Sequence, residues 1–258
     1  MKMPICSHCR SLTASLALLA ISSLPLQAAP SRARIDPQAM ELLQRMSDTL
    51  AGAKALTYTA TGVQEVPANT GQFVTFFPTT KVALRRPDKL RAKVGGEVPA
   101  FDFFYNGRTA IAFAPETRLY SEDKAPPTID AMLSGLETET GIRLASAPLL
   151  FSNPYRVLSK GVTSAIVVGP VTVRGIACVH LAFQSPGVNW ELWIATGARA
   201  LPLRLAATWT DRPRFPRTLV DFSRWNLNPW LPASGFEFRP PSGSKVIPFE
   251  AIRKTSLR

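Results

Sequence analysis

Near the start of the chain, the apolar positions recur every three or four residues, as they do on one face of an α-helix. Asp36 is a suitable N-cap, Pro37 fits the first helical position because its missing N–H is not needed there, and Gly52 can end the helix. The pattern predicts an amphipathic helix that packs on the rest of the protein through Ala39, Leu42, Leu43, Met46 and Leu50.

From residue 56 onward the dominant period is two, which is typical of strands with one buried face. Asn106-Gly107 is a strong hairpin signal, and Gly169-Pro170 predicts a second turn. Short helices are expected over 129–136, capped by Thr128, and over 142–151. The predicted strands are 56–63, 72–84, 90–94, 101–105, 109–114, 118–122, 165–168, 171–173, 176–183, 188–194, 203–210, 218–225 and 236–238.

This order of elements predicts one α+β domain with roughly ten antiparallel strands and a few helices. In three of the later strands the apolar residues occupy alternate positions, and so lie on one face. They are Ala177, Val179, Leu181 and Phe183, then Trp190, Leu192 and Ile194, then Leu203, Leu205, Ala207 and Trp209. The opposite positions carry Cys178, His180, Glu191 and Arg204.

A single wide sheet with one apolar face and few helices to cover it can shield that face from water in two ways. The sheet closes into a barrel, or it leaves an apolar concavity partly roofed by helices, where an acyl chain or another apolar ligand can bind. We expect the lining of such a chamber to be Tyr58, Val179, Leu181, Phe183, Trp190, Leu192, Ile194, Leu205 and Trp209. For Trp190 and Trp209, ordinary core packing is the favoured interpretation and the chamber lining is the alternative.

The chain is strongly basic, with 30 Lys and Arg against 18 Asp and Glu among 258 residues, a net charge of +12. A basic rim is expected from Arg85, Arg86, Arg91, Arg212 and Arg214. These residues can meet anionic head groups or a membrane surface, or they can simply be solvated turn residues.

The first residues are typical of an export signal. Lys2 and Arg10 precede an apolar run over 12–24, and Pro25-Leu26-Gln27-Ala28 offers a cleavage site. An uncleaved membrane anchor is the alternative, but the run is shorter than the ~20 residues that span a bilayer. We predict a cleaved signal peptide over 1–28 and one periplasmic domain over 29–258. Export separates the basic chain from nucleic acid, so no nucleic-acid partner is expected.

Few residues are available for catalysis or metal binding, since the chain has only three Cys and two His. Cys6-Ser7-His8-Cys9 has the spacing of half a zinc knuckle or a redox pair, but it lies in the predicted leader. Cys178 and His180 share one face of a strand, so a Cys–His dyad is conceivable, yet no third member or oxyanion hole is evident nearby. We expect no enzyme, no metal and no cofactor.

Six stretches of the chain, between Ile35 and Phe249, carry a family resemblance: IDPQAMELLQRMSDTLAGAKALTYTATG, PDKLRAKVGG, FFYNGRTAIAFAPETRLYSEDKAPPTIDAML, GIACVHLAFQSPGVNWELWI, LPLRLAATW and FEFRPPSG. With them the chain resembles an uncharacterised family of predicted periplasmic proteins assigned to the LolA-like, lipoprotein-carrier fold. The resemblance implies an open, strongly curved antiparallel sheet, or half-barrel, with helices covering its concave face. One departure is Pro148, where the family pattern leads us to expect an acidic residue.

Two functions are compatible with these observations. The first is a non-catalytic periplasmic protein that binds or carries a lipid, an acyl chain or a lipoprotein in the concave apolar face. The alternative is an envelope interaction or sensing protein whose core is filled by its own side chains. A connected apolar chamber favours the first, and a filled interior favours the second. The sequence specifies neither the ligand nor the oligomeric state.

Overall fold

The computed structural model describes residues 34–140 and 145–248, with the side chains of 136–140 left out of the description. The predicted signal peptide over 1–28 and its Cys6-Ser7-His8-Cys9 motif lie outside the described residues. The same holds for 142–144, the first part of the second predicted short helix.

The first helix, α1, runs over Pro37–Ala51 as the apolar spacing predicts. The Asp36 carboxylate accepts a hydrogen bond from the Gln38 backbone N–H at 2.9 Å and thus caps the free N–H groups at the helix start. Gly52 ends the helix in a right-handed conformation, with φ at −66°. The residues of α1 that are buried on its apolar side are Ala39, Leu43, Met46, Ser47 and Leu50.

Thirteen strands form one sheet in the described part of the chain. They are β1 Ala55–Pro67, β2 Phe73–Phe76, β3 Pro78–Arg85, β4 Lys89–Gly96, β5 Phe101–Tyr105, β6 Thr109–Ala114, β7 Leu119–Lys124, β8 Ser164–Val173, β9 Ile176–Ser185, β10 Val188–Ala195, β11 Pro202–Trp209, β12 Arg217–Asn226 and β13 Lys245–Val246. Their order across the sheet is β13-β7-β6-β5-β4-β3-β1-β12-β11-β10-β9-β8, with β2 paired to β1.

The sheet is curved and unclosed, which confirms the predicted α+β architecture. Neighbouring strands are antiparallel except β13, which lies parallel to β7. The hairpin between β5 and β6 is also confirmed, because the Asn106 side chain accepts hydrogen bonds from the backbone N–H groups of Arg108 and Thr109 at 3.0 and 2.9 Å. Gly107 supplies the positive φ of 85° that this turn requires.

Two further helices and two 3₁₀ turns complete the described fold. They are α2 Ile129–Thr140, the turn Ala147–Leu150, α3 Pro154–Leu158 and the turn Ala233–Phe236. Thr128 caps α2 as predicted, since its hydroxyl accepts from the Ala131 N–H at 3.2 Å. All three helices and the turn Ala147–Leu150 pack on the same face of the sheet, which we call the inner face. None of the helices in the described ranges is long and apolar enough to cross a membrane.

The following predictions of local secondary structure are wrong. The Gly169-Pro170 turn does not exist, because β8 continues through it with a register shift between Val167 and Gly169. Its place at the edge of the sheet tolerates a proline that cannot donate to the ladder. The segment 72–84 is divided between β2 and β3. The segment 236–238 is not a strand, because Phe238 instead packs its ring against Phe104, Phe113 and Tyr120.

Leu203 does not share a face with Leu205, although simple alternation predicts that it does. A register shift between Trp193 and Ile194 interrupts the pairing of β10 with β11, and Leu203 joins a small cluster on the opposite, outer face. That cluster contains Cys178 and Val173. The outer face of β9, which the sequence pattern predicts to be polar, therefore contributes Cys178 to a second, smaller apolar cluster.

Candidate functional site

The structure brings the predicted chamber residues together on the inner face. Val179 and Trp209 are partly buried and pack against a single cluster that contains the other seven. The seven, all buried, are Tyr58, Leu181, Phe183, Trp190, Leu192, Ile194 and Leu205. Strands β1, β9, β10 and β11 supply them, so residues about 150 positions apart in sequence form one apolar surface.

Helical side chains cover this surface in the conformation described. Leu43 and Met46 of α1 and Leu149 of the 3₁₀ turn belong to the same buried cluster. The Trp190 ring stacks on Phe183 with the centroids 4.0 Å apart, so Trp190 is part of the packed interior. Any guest on the inner face must therefore displace helical side chains.

Two buried tyrosines connect the sheet to the segment that carries α2, the turn and α3, which we call the lid (residues 125–140 and 145–158). The Tyr58 hydroxyl interacts with the Ser146 side chain, directly before the turn. The Tyr105 hydroxyl donates to the backbone oxygen of Pro126, at the start of the lid. Burial raises the pKa of both phenols, that of Tyr105 to about 12 with a contribution from nearby Asp88. Both phenols are therefore neutral at physiological pH.

Arg86 joins the lid to α1. Its guanidinium donates to the backbone oxygens of Leu150, at 3.0 Å, and of Leu50, at 3.5 Å. The Nε of Arg86 is buried and has no partner among the described residues. Burial lowers the pKa of Arg86, and the nearby Asp130 carboxylate partly opposes this. The sequence places Arg86 on an exposed rim, whereas in the structure it holds two helical segments together.

The other four predicted rim residues lie in two separate places. Arg85 and Arg91 are on the outer face, where Arg85 donates to the backbone oxygen of Leu231 at 2.8 Å. Arg212 and Arg214 are exposed in the connection between β11 and β12. The structure therefore does not gather the basic residues around the apolar surface.

Cys178 and His180 lie on the outer face, and each already has a partner. The Cys178 thiol donates to the backbone oxygen of Val171 at 3.3 Å. The His180 ring lies 2.9 Å from a Glu191 carboxylate oxygen and stacks on Trp193 at 4.0 Å between centroids. Burial raises the pKa of Cys178, which disfavours the nucleophilic thiolate. No group of three metal-binding side chains occurs within residues 34–140 and 145–248.

We expect the Cys178 thiol to react at least about 100-fold more slowly with a disulfide reagent at pH 8 in the native protein than in 8 M urea. The side chain is only 1% exposed, and the thiolate is disfavoured. The measurement uses a Cys6→Ser/Cys9→Ser chain, in which Cys178 is the one remaining thiol. Equal rates in both solvents would show that the outer-face patch does not protect it.

Sequence reasoning missed Tyr105 and Ser146. A tyrosine in a predicted strand is expected simply to pack against its neighbours. Nothing in the local pattern identifies which hydroxyl interacts with a distant segment. The available signal was the phenolic oxygen of a tyrosine at a position predicted to be buried, because a buried hydroxyl requires a hydrogen-bond partner. The sequence could raise that question, but only the tertiary structure identifies the partners as parts of the lid.

A family model described as "Predicted periplasmic protein (DUF2092)" matches residues 39–250. This range is most of the chain, and the match confirms the resemblance inferred from the sequence stretches above. No curated protein matches the chain.

Solved structures of low sequence identity are similar over most of the chain. The lipoprotein LppX of Mycobacterium tuberculosis is 16% identical with a TM-score of 0.48, covering 74% of this chain and 96% of its own. An uncharacterized conserved protein from Thermus thermophilus is 14% identical with a TM-score of 0.48, covering 82% and 99%. A LolA superfamily protein from Nitrosomonas europaea is 9% identical with a TM-score of 0.37, covering 78% and 97%. Such low identity carries no information on ligands.

Proposed function

The chain belongs to the DUF2092 family of predicted periplasmic proteins, and from that premise we propose that it binds a hydrophobic ligand. The ligand class is an acyl chain, a lipid or a lipoprotein, held without catalysis between the inner face and the lid. One observation carries the proposal: few polar contacts of the described residues hold the lid to the sheet and its turns. Three come from the side chains of Tyr58, Arg86 and Tyr105. Two are backbone hydrogen bonds, from the Ala125 N–H to the Arg108 oxygen and from the Ile129 N–H to the Pro87 oxygen. Export through the predicted leader and cleavage near Ala28 belong to the same proposal.

These polar bonds make the lid releasable. Each hydrogen bond between neutral groups contributes only about 0.5–1.5 kcal/mol net, because water replaces it when the groups separate. A bond from the charged Arg86 guanidinium contributes about 1.5–3 kcal/mol. The larger cost of opening is the apolar surface exposed on lid and sheet. An acyl chain offsets this cost at ~0.8 kcal/mol for each methylene it removes from water. Chain length, rather than a specific polar contact, should then govern affinity.

An anionic membrane surface is the proposed docking partner. Arg212 and Arg214 are exposed and precede Phe215, whose side chain is 58% exposed. An aromatic ring beside cations suits the lipid interface, where each basic residue contributes about 1 kcal/mol near anionic lipid. This connection lies between β11 and β12, strands that help form the inner face.

The second candidate is an envelope interaction or sensing protein with a filled core. It is favoured by the burial of seven of the nine proposed lining residues beneath helical side chains. In that case the lid never leaves the sheet, and the inner face is purely structural.

Gentle purification from the periplasm followed by native mass spectrometry decides between the two. We expect an adduct of acyl-chain mass, and uptake of a fluorescent fatty acid by the protein after delipidation. A protein that is free of adducts and takes up no probe would contradict hydrophobic-ligand binding. The second candidate, in which the inner face is a filled structural core, would then stand.

Tyr58→Phe should loosen the lid without unfolding the sheet. The substitution keeps the buried ring but removes the interaction of the hydroxyl with Ser146, which is expected to contribute about 1 kcal/mol. We expect backbone amides of residues 145–150 to exchange roughly 5-fold faster, and the fatty-acid probe to enter faster.

The matched control is Tyr120→Phe, which removes a hydroxyl from a ring that packs on Phe238 on the outer face, away from the lid. This variant should leave exchange in 145–150 unchanged. Identical lid exchange in both variants would mean that the Tyr58 hydroxyl does not retain the lid.

A further inference from the structure

A cavity of about 400 Å³ lies on the outer face, on the side of the sheet away from the lid. Strands β1, β3, β4 and β12 form it. The positions whose side chains point to this face alternate along β1 and β3 with the buried Tyr58 and Val82. Its polar lining consists of Lys81, Arg91, Lys93, Arg224, Thr57 and Thr59.

The described part of the chain does not balance the positive charges in this cavity. Lys81 and Lys93 are directly opposite each other on β3 and β4, an arrangement in which like charges repel. Asp102 is the nearby acid, 3.6 Å from Arg91 and directly opposite Lys93. Within the described residues no acid lies within salt-bridge distance of Lys81, Lys93 or Arg224. Four cations and one carboxylate leave a net charge of +3.

A β-bulge brings the fourth cation into the cavity. Thr59 pairs with Ser223 but Thr57 pairs with Asn226, so two residues of β12 lie opposite Tyr58. The first is Arg224, with a left-handed φ of 55°, and it lines the cavity. The second is Trp225, whose ring packs against Tyr58 at 4.5 Å between centroids. Because of the bulge, these two consecutive residues point to opposite faces: the Trp225 ring packs in the interior and the Arg224 side chain lines the outer-face cavity.

We propose that this outer-face cavity binds a phosphate-bearing ligand. Guanidinium groups bind phosphate oxygens in pairs, ammonium groups supply compact charge, and threonine hydroxyls can donate to the remaining oxygens. Neighbouring strands lie ~4.8 Å apart and alternate residues ~7 Å apart along a strand. The cations therefore cover enough surface for one phosphate or a diphosphate, which can be a soluble ion or a lipid head group. Because it lies on the opposite face, the site stands independently of the inner-face ligand.

Titration calorimetry of the folded protein with inorganic pyrophosphate tests the site. Lys81→Gln/Lys93→Gln should weaken pyrophosphate binding at least about 10-fold. The matched control, Lys160→Gln/Arg199→Gln, removes the same charge from exposed positions outside the cavity and should change the affinity less than about 2-fold. Without anion, the lysine variant should also melt at a higher temperature than the native chain, because the repulsion between β3 and β4 is removed.

Vesicles separate the two sources of phosphate. Binding of pyrophosphate indicates a soluble ligand. A lipid head group is indicated by a different pair of results. The native chain binds phosphatidylglycerol vesicles but not pyrophosphate, and only the lysine variant loses the vesicle binding. The proposal is overturned if neither probe binds, or if the two double variants weaken binding equally, since general surface charge would then explain it.

Discussion

Phe222→Ala is expected to lower the free energy of unfolding by about 3–5 kcal/mol, the range typical of a buried phenylalanine truncated to alanine. Phe222 is fully buried on β12, the strand that joins β1 to β11 in the middle of the sheet order. Its ring meets Tyr58 edge-on, with centroids 5.6 Å apart, and lies 5.8 Å from Trp225. The substitution leaves a void where the two halves of the sheet meet.

Phe77→Ala is the matched control, because it removes the same side chain from a position that is 50% exposed. It should change stability by no more than about 0.5 kcal/mol. Urea unfolding measures both, and the midpoint should move while the slope stays constant. A comparable loss in the two variants would show that the inner-face cluster is not the principal core.

Raising the pH from 9 to 12 should remove on the order of 2 kcal/mol of stability through Tyr105 alone. Burial raises the pKa of this phenol from 10 to about 12 in the folded protein. Between these values the unfolded chain releases the proton while the folded chain keeps it. The stabilisation is therefore fully present below pH 10 and is lost as the pH rises through 12. Burial also raises the pKa of Tyr58, so the loss has the same sign there.

Urea unfolding at several alkaline pH values isolates this contribution. The native chain should be more stable than Tyr105→Phe at pH 8, because of the bond to Pro126, and this advantage should disappear toward pH 12. Tyr120→Phe should follow the native curve throughout. A constant difference between the native chain and Tyr105→Phe would mean that the Tyr105 hydroxyl titrates alike in both states.

Local chemistry made much of the secondary structure predictable. The apolar spacing of Leu43, Met46 and Leu50, with Asp36 as cap, defines α1 within one residue at each end. The hairpin of β5 and β6 was predicted with its observed limits, because the Asn106 side chain and Gly107 build the turn from within four residues. Interactions of such short range depend little on the rest of the fold.

The face of each strand was predictable only where pairing is regular. Leu181 and Leu192 lie on the inner face as alternation predicts, and they pair directly with each other. Leu203 and Arg224 do not follow simple alternation, because a register shift occurs beside each. A bulge depends on how two strands fit together, so neither strand contains the information by itself.

By itself, the sequence predicted one wide sheet with an apolar face and short helices to cover it, since periodicity and composition are local properties. Only the tertiary structure decided what the polar side chains on that sheet do. It placed Arg86 between α1 and the lid rather than at a rim, and it set Lys81 opposite Lys93 on the outer face. The physical reason is distance along the chain: contacts between residues far apart in sequence depend on the packing of the whole fold.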